Sequence, residues 1–178
     1  MKRRSLLSFV LTLLTPVFCG LALAQNEPAK VQLDPGKEVL GSVKVTVYQG
    51  TNGDPAAAGP RGKEVSAETA RRLSREQKLK FAKYVELAKD NRALYRSYDN
   101  WSQPFEPSDE IMLRFEAQST LHDGTMRLDL ELWLSRKKIL KTDAALTHGK
   151  PLLVLGPEWK GGRLILEVEL SPEKNGKP

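Results

Sequence analysis

Four carboxylates lie at spacings that could support acid–base chemistry on strands. Asp129 and Glu131 are two residues apart, as are Glu167 and Glu169. Residues two apart on a strand point to the same face of a sheet. If the two strands lay side by side, the four acids would come within the distances used in general acid–base catalysis and glycoside hydrolysis. This pattern is compatible with a small carbohydrate-active enzyme or another hydrolase.

An alternative assigns the same carboxylates to a solvated outer face of the sheet. Every second residue of these strands is apolar, so the acids point away from the core and no cleft is implied. Three arginines are spaced to act as cross-strand partners of the acids: Arg114, Arg127 and Arg163. We favour this interpretation and predict no catalytic residues and no enzymatic activity.

The sequence has no clear motif for a metal or cofactor site. His122 and His148 each lie in a predicted turn with a glycine, 26 residues apart, whereas metal-binding histidines usually lie at short spacing or are accompanied by Cys or Asp. Only Asp123 and Asp143 are nearby. The glycine-rich loop at 49–62 lacks the Lys-Ser/Thr pair of a phosphate-binding loop, and no G-x-S-x-G motif is present. We therefore predict neither a metal site nor a cofactor.

Aromatic side chains offer a different chemistry, the stacking of a sugar or a peptide partner on flat rings. The candidate partner-binding residues are Tyr95, Tyr98, Trp101, Trp133 and Trp159. The alternative, which we favour, is that these rings cover the second face of the sheet beside a helix. Trp159 is the one residue that turn chemistry does not explain in Gly-Pro-Glu-Trp-Lys-Gly-Gly, residues 156–162, which we predict to be a seven-residue loop between two strands.

The first 24 residues have the pattern of a signal peptide. Lys2, Arg3 and Arg4 form a basic start, an apolar run follows, and Ala22-Leu23-Ala24 is a small-residue cleavage site. An uncleaved anchor and a twin-arginine route are the less favoured alternatives. We expect an exported protein, periplasmic or secreted, without a later membrane span. Cleavage would also remove the single cysteine, Cys19, and with it disulfides and thiolate chemistry.

Basic residues are concentrated in one segment of the mature chain. Removal of the signal peptide lowers the basic count from 28 to 25 against 22 acids, a net charge of +3, while residues 61–96 hold eleven basic and five acidic residues. We prefer a solvated helix face, but an anion-binding or membrane-surface patch is the alternative. Its candidate residues are Arg71, Arg72, Arg75, Lys78, Lys80 and Lys83. This charge without further signatures does not favour nucleic acid.

Hydrophobic periodicity predicts the fold class. Residues 66–90 hold the only helical pattern, with Ser74 and Gln77 as a possible capping box and Ser66 as an earlier cap, although residues 84–87 also alternate like a strand. Apolar residues then recur at every second position from 111 to 170, with short connections typical of antiparallel strands. We predict an α+β domain, a mainly antiparallel sheet of about six or seven strands with one main helix on one face.

The domain boundaries follow from composition. Residues 25–41 are polar and hold an Asp-Pro-Gly turn, which predicts a flexible leader. Residues 42–171 form the single predicted domain, and residues 172–178 a disordered tail.

The run from residue 127 to 170 resembles a set of small exported bacterial proteins. The specific element is Gly156-Pro157 to Leu166, which is similar to the "GGP…GG.LIL" hairpin that ends their antiparallel strands. The resemblance implies a bacterial envelope setting, and it carries no activity or catalytic residue.

These patterns lead us to expect a non-enzymatic binding or assembly module of the cell envelope. It would act on a protein or glycan partner through its sheet edges, its aromatic loop and the 156–162 hairpin. The alternatives are a small hydrolase that uses the strand carboxylates, and electrostatic docking of residues 61–96 on anionic envelope polymers or lipids.

Overall fold

Nine antiparallel strands form two sheets in the computed structural model, which describes residues 34–172. One sheet contains β1 (Val39–Thr51), β2 (Lys63–Glu64), β3 (Lys83–Tyr95), β8 (Leu152–Trp159) and β9 (Gly162–Pro172). Its strand order is β2-β3-β1-β9-β8. The other sheet contains β4 (Asn100–Ser102), β5 (Ile111–Ala117), β6 (Thr125–Leu134) and β7 (Lys137–Thr147), in that order.

The two sheets pack face to face around one hydrophobic core. Alternate residues of β1 and β9 point inward, and Val45 lies opposite Val168 across the ladder. From the four-stranded sheet, Phe115 and Leu130, a cross-strand pair, belong to the same buried cluster. Period-two burial is present in β5, where Ile111, Leu113 and Phe115 are buried, but β7 departs from it because Ile139 and Leu140 are both exposed. The fold is a β-sandwich with a shared interior.

A second, smaller cluster lies on the outer face of the five-stranded sheet. There α1 (Ala67–Leu73) and a 3-10 turn at Gln77–Leu79 cover Tyr48 and Ile165 with Leu73 and Leu79. Ser66 caps α1, since its hydroxyl accepts a hydrogen bond from the backbone N–H of Thr69 at 3.1 Å. The cap predicted at Ser74 is wrong, because Ser74 lies at the C-terminal end of the helix.

The prediction of an α+β domain with six or seven strands and one main helix is wrong, because the chain is mostly β. The only α-helix among the described residues has seven residues, and residues 83–90 of the predicted helical segment form the first part of β3. A bulge explains the helical spacing: Val47 pairs with Ala88 but Tyr48 pairs with Glu86, so Leu87 is an extra residue. Val85 and Ala88 consequently both contact the core, three residues apart.

The seven-residue loop predicted at residues 156–162 is also wrong. β8 continues through Gly156 to Trp159, with a register shift between Leu155 and Glu158, and a two-residue turn follows. Lys160 and Gly161 supply that turn with φ values of 43° and 76°. Gly162 starts β9 instead, where a Cβ atom would lie 2.7 Å from Cγ of the buried Gln49. The glycine pair therefore serves one turn and one close contact.

Several predictions concern residues at the two ends of the chain. The signal peptide at 1–24, most of the leader at 25–41 and nearly all of the tail at 172–178 lie outside the described residues. Within the leader, Asp34-Pro35-Gly36 turns the chain and β1 begins at Val39. Among the described residues, no helix combines the length and the apolar composition needed to cross a bilayer.

Candidate functional site

The four strand carboxylates do not converge. β6, with Asp129 and Glu131, and β9, with Glu167 and Glu169, belong to different sheets, and each pair lies on the outer face of its own sheet. The predicted solvated face is nevertheless wrong for three of them, because Asp129, Glu131 and Glu167 are at most 9% exposed. Neighbouring long side chains cover these acids.

Glu167 lies beneath α1 in an ion pair with Arg72. The Arg72 guanidinium donates to both Glu167 carboxylate oxygens, with Nη2 at 2.9 Å from Oε2. Tyr48 Oη donates to Oε2 at 2.8 Å. Burial, together with that hydrogen bond to a carboxylate, raises the pKa of the Tyr48 phenol. The cluster holds α1 on the sheet.

Trp101 and Trp133 form an aromatic pair on the outer face of the four-stranded sheet. Their ring centroids are 5.8 Å apart with the ring planes inclined by 58°. β4 supplies Trp101, β6 supplies Trp133, and Arg114 and Met112 of the intervening β5 are their respective cross-strand neighbours. Trp101 is 39% exposed, so a large part of the indole is open to solvent. We call the outer surface of β4–β7 the tryptophan face.

Arg114 is the centre of an ionic network beside the tryptophan pair. It donates to Asp99 and, through Nη2, to Glu116 Oε2 at 2.9 Å, while Nη1 lies 3.7 Å from Asp129 Oδ2. These carboxylates, the hydrogen bond to Asp99 above all, raise the pKa of the Arg114 guanidinium. From β7, Lys141 Nζ lies 2.9 Å from Asp129 Oδ2. Strand register thus brings three strands into one network.

Glu131 connects that network to the aromatic pair. Its Oε2 accepts a hydrogen bond from Trp133 Nε1 at 3.1 Å, and its Oε1 accepts one from Lys138 Nζ at 3.1 Å. Burial alone would raise the pKa of this carboxyl, but the hydrogen bonds from Lys138 and Trp133 outweigh that effect and lower it. Lys138 also lies over the Trp133 ring, 5.5 Å from its centroid. Glu131 is therefore an ionised hydrogen-bond acceptor.

A shallow depression continues the tryptophan face toward β7. It has a volume of about 320 Å³, and Gln118, Asp129, Lys141, Thr142 and Asp143 line it. At the ordinary spacing of strands, the four strands from Trp101 to this depression span roughly 15 Å. The face therefore offers an exposed ring at one side and paired donors and acceptors at the other.

The structure separates the other predicted aromatic residues from this pair. Tyr95, at the end of β3, is 37% exposed. The Tyr98 hydroxyl donates to Asp34, and its ring packs against Gly36. Trp159 is half-buried against the core; its Nε1 donates to Glu110 Oε1 at 2.8 Å, and its ring centroid lies 6.1 Å from that of Phe105. Trp159 thus closes one end of the sandwich.

The predicted anion-binding residues also lie in different surroundings. Arg72 is occupied by Glu167, Arg71 Nε donates to the Ala67 carbonyl, and Arg75 is exposed. Lys83 begins β3 and lines a groove of about 570 Å³, half of whose lining residues are alanines and glycines. Lys78 and Lys80 line a different groove with Arg163. The six residues consequently do not form one patch.

Sequence reasoning missed Lys138 and Lys141 as members of the tryptophan face. The signal that could have found them is the tight turn at Ser135 and Arg136, whose φ values of 46° and 64° fix the pairing of β6 with β7. The predicted partners Arg114 and Arg127 do approach carboxylates, with Arg127 3.5 Å from Asp143, whereas Arg163 Nε donates to the Gly156 carbonyl.

Comparison with known proteins adds no family: no family model, no curated protein and no solved structure matches the chain. Across residues 34–172, no three His, Cys, Asp or Glu side chains are grouped so that they could hold a metal ion. His122 and His148 lie in turns, and His148 Nδ1 is 3.2 Å from the Leu170 carbonyl oxygen.

Proposed function

We propose that the protein is an exported, non-enzymatic binding module that holds a glycan chain on the tryptophan face. The observation that carries the proposal is the exposed Trp101 indole, which packs against Trp133 and lies beside a network of charged side chains. Sugars offer C–H groups that pack on an aromatic ring and hydroxyls that both donate and accept hydrogen bonds. The tryptophan face has a partner for each of these groups.

The charge balance of the face favours a sugar over a strongly charged ligand. The carboxylates of Asp99, Glu116, Asp129 and Glu131 face three cations, Arg114, Lys138 and Lys141. The network is therefore close to neutral, and it presents closely spaced donors and acceptors rather than a strong field of one sign. Hydrogen bonds to charged groups are also stronger than neutral ones.

Pre-organisation supports the same function. Arg114 is only 15% exposed and Glu131 7% at the side chain, and each makes several contacts that fix its orientation. Side chains that are already ordered lose little conformational entropy when a ligand binds. A face built on strands, rather than on loops, keeps these positions constant.

The hydrolase alternative has less support. The four acids lie on opposite outer faces, and the lowered pKa of Glu131 keeps that carboxylate ionised, whereas a general acid needs a raised pKa. Within residues 34–172, the covering lysines and arginine pair with all four carboxylates of the network, Asp99, Glu116, Asp129 and Glu131. A binding role uses all of these features as they stand.

Binding to envelope glycans tests the proposal. Soluble peptidoglycan fragments and neutral polysaccharides would be titrated into the mature chain by calorimetry, with Trp101→Ala compared against wild type. We expect Trp101→Ala to weaken binding about tenfold or more, because truncation of a central tryptophan commonly costs more than 1.4 kcal/mol. Trp101→Phe should retain most of the affinity, since it keeps an aromatic ring.

Leu121→Ala is the matched surface control, because Leu121 is 38% exposed and lies outside the tryptophan face. An equal loss for Leu121→Ala and Trp101→Ala would contradict the proposal. A wild-type protein that binds none of the glycans would contradict it as well.

A further inference from the structure

A second surface, on the outer face of the five-stranded sheet, has a different chemistry. A groove of about 560 Å³ lies between the β8–β9 turn and the segment that follows α1. Three of its lining residues are the basic side chains Lys78, Lys80 and Arg163. We call this the basic groove.

The positive charges of the basic groove are only partly offset by acidic residues of the described chain. Within residues 34–172, Lys78, Lys80 and Arg163 form no ion pair, whereas every basic side chain of the tryptophan-face network does. Glu158, which lies opposite Arg163 across the ladder, is the one carboxylate that lines the groove. The groove thus carries a net charge of about +2 in a concave surface, which concentrates its field.

Arg163 is oriented for a ligand by its own backbone contact. Its Nε donates to the Gly156 carbonyl at 2.9 Å, which anchors the guanidinium, and neither Nη atom has a hydrogen-bond partner in the described part of the chain. A guanidinium with both Nη groups available matches two oxygens of one phosphate or carboxylate. The two lysines add mobile point charges of the kind that bind phosphate.

Glycines keep the groove open. Gly53 and Gly161 line it, and an added Cβ atom would meet only one atom within 4 Å at each position, Thr51 Oγ1 at 3.7 Å and Ala57 Cβ at 3.8 Å. Phe81 also lines the groove, and its ring packs directly over Gly50. The walls therefore leave room for a chain to lie along the groove, and the concave shape suits a polymer better than a flat bilayer.

We infer that the basic groove binds a phosphate-bearing polymer chain, with Arg163 on one phosphate and Lys78 and Lys80 on its neighbours. The site is separate from the tryptophan face, so it adds a second ligand class to the proposed glycan-binding module. The two sites lie on the outer faces of opposite sheets, so both can be occupied together.

Inorganic polyphosphate is the probe for this site. Affinity would be measured by calorimetry for wild type, for Lys78→Gln/Lys80→Gln, and for the control Arg71→Gln/Arg75→Gln, which removes the same charge from exposed positions outside the groove. We expect the lysine variant to bind about tenfold more weakly and the control to stay within about twofold, because the site depends on local charges. Glu158→Gln should strengthen binding.

An equal loss of polyphosphate affinity in the two double variants would overturn the assignment of the site, since it would show that only net charge matters. Retention on phosphatidylglycerol–phosphatidylcholine vesicles without any affinity for polyphosphate would overturn the polymer assignment. Trp101→Ala should leave polyphosphate affinity unchanged, so failure of the glycan-binding proposal and failure of this one are distinguishable. The four positions changed in the two double variants are exposed, so these substitutions should leave the fold intact.

Discussion

Single residues on the outer faces differ sharply in what surrounds them. Glu167 and Glu169 lie on the same strand and point to the same side, yet Glu167 is buried under α1 while Glu169 pairs with Lys44 at a half-exposed position. The difference comes from the helix, because α1 brings Arg72 over one carboxylate and not over the other. The strand pattern is the same for both acids and does not distinguish them.

Replacement of Glu167 should therefore cost much more stability than replacement of Glu169. We expect Glu167→Ala to lower the free energy of unfolding by about 2–3 kcal/mol, since it leaves the Tyr48 hydroxyl and the Arg72 guanidinium without their partner. Glu169→Ala should cost less than about 1 kcal/mol, as expected for an exposed pair. Urea denaturation of both variants is the measurement, and similar losses would contradict the assignment of Glu167 as the anchor of α1.

At the scale of elements, a small residue allows close packing of a connecting segment on the sheet. Gly50 of β1 lies beneath the ring of Phe81, and a Cβ atom there would come within 2.2 Å of Phe81 Cδ2. Phe81 belongs to the segment that joins α1 to β3 and lines the basic groove. The glycine therefore sets how closely this segment packs on the sheet.

A methyl group at Gly50 should separate the segment from β1. We expect Gly50→Ala to destabilise the fold by about 1–3 kcal/mol through overpacking, with recovery of part of the loss in Gly50→Ala/Phe81→Leu. Gly53→Ala is the matched control, because only one atom lies within 4 Å of its added Cβ. Thermal unfolding of the three variants is the measurement, and equal effects at positions 50 and 53 would disprove the close contact.

The whole molecule depends on one core between two sheets, with α1 as an outer cover. Phe115 and Leu73 are both fully buried, but Phe115 lies between the sheets and Leu73 lies under the helix. The shared core couples the sheets, because neither inner face is shielded from water without the other. The outer cluster is smaller and belongs to one sheet.

Loss of these two side chains should consequently give different patterns of hydrogen exchange. We expect Phe115→Ala to cost about 3–5 kcal/mol and to reduce amide protection in both sheets. Leu73→Ala should reduce protection mainly in α1 and the strands beneath it. Native-state hydrogen exchange is the measurement, and loss of protection confined to the four-stranded sheet in Phe115→Ala would contradict a single shared core.

Much of the strand pattern is readable from the printed sequence. Period-two alternation predicts β5, β6 and β9, because one face of each strand is apolar and packs into the shared core. The helix predicted across the start of β3 is wrong because the bulge at Leu87 changes which residues face the core and produces a spacing of three. The loop predicted around Trp159 is wrong because Gly156 and Pro157, which usually end strands, lie here at a register shift within β8.

Local order in the chain thus fixes where strands and turns occur and which residues of each strand are apolar, because these depend on neighbours a few positions apart. Which strands are neighbours, and which sheet each one joins, depends on contacts between residues far apart in the chain. Those contacts put Trp101 beside Trp133, buried Glu167 under Arg72, and placed Lys78 and Lys80 beside Arg163. The chemistry of both proposed sites arises from that long-range packing.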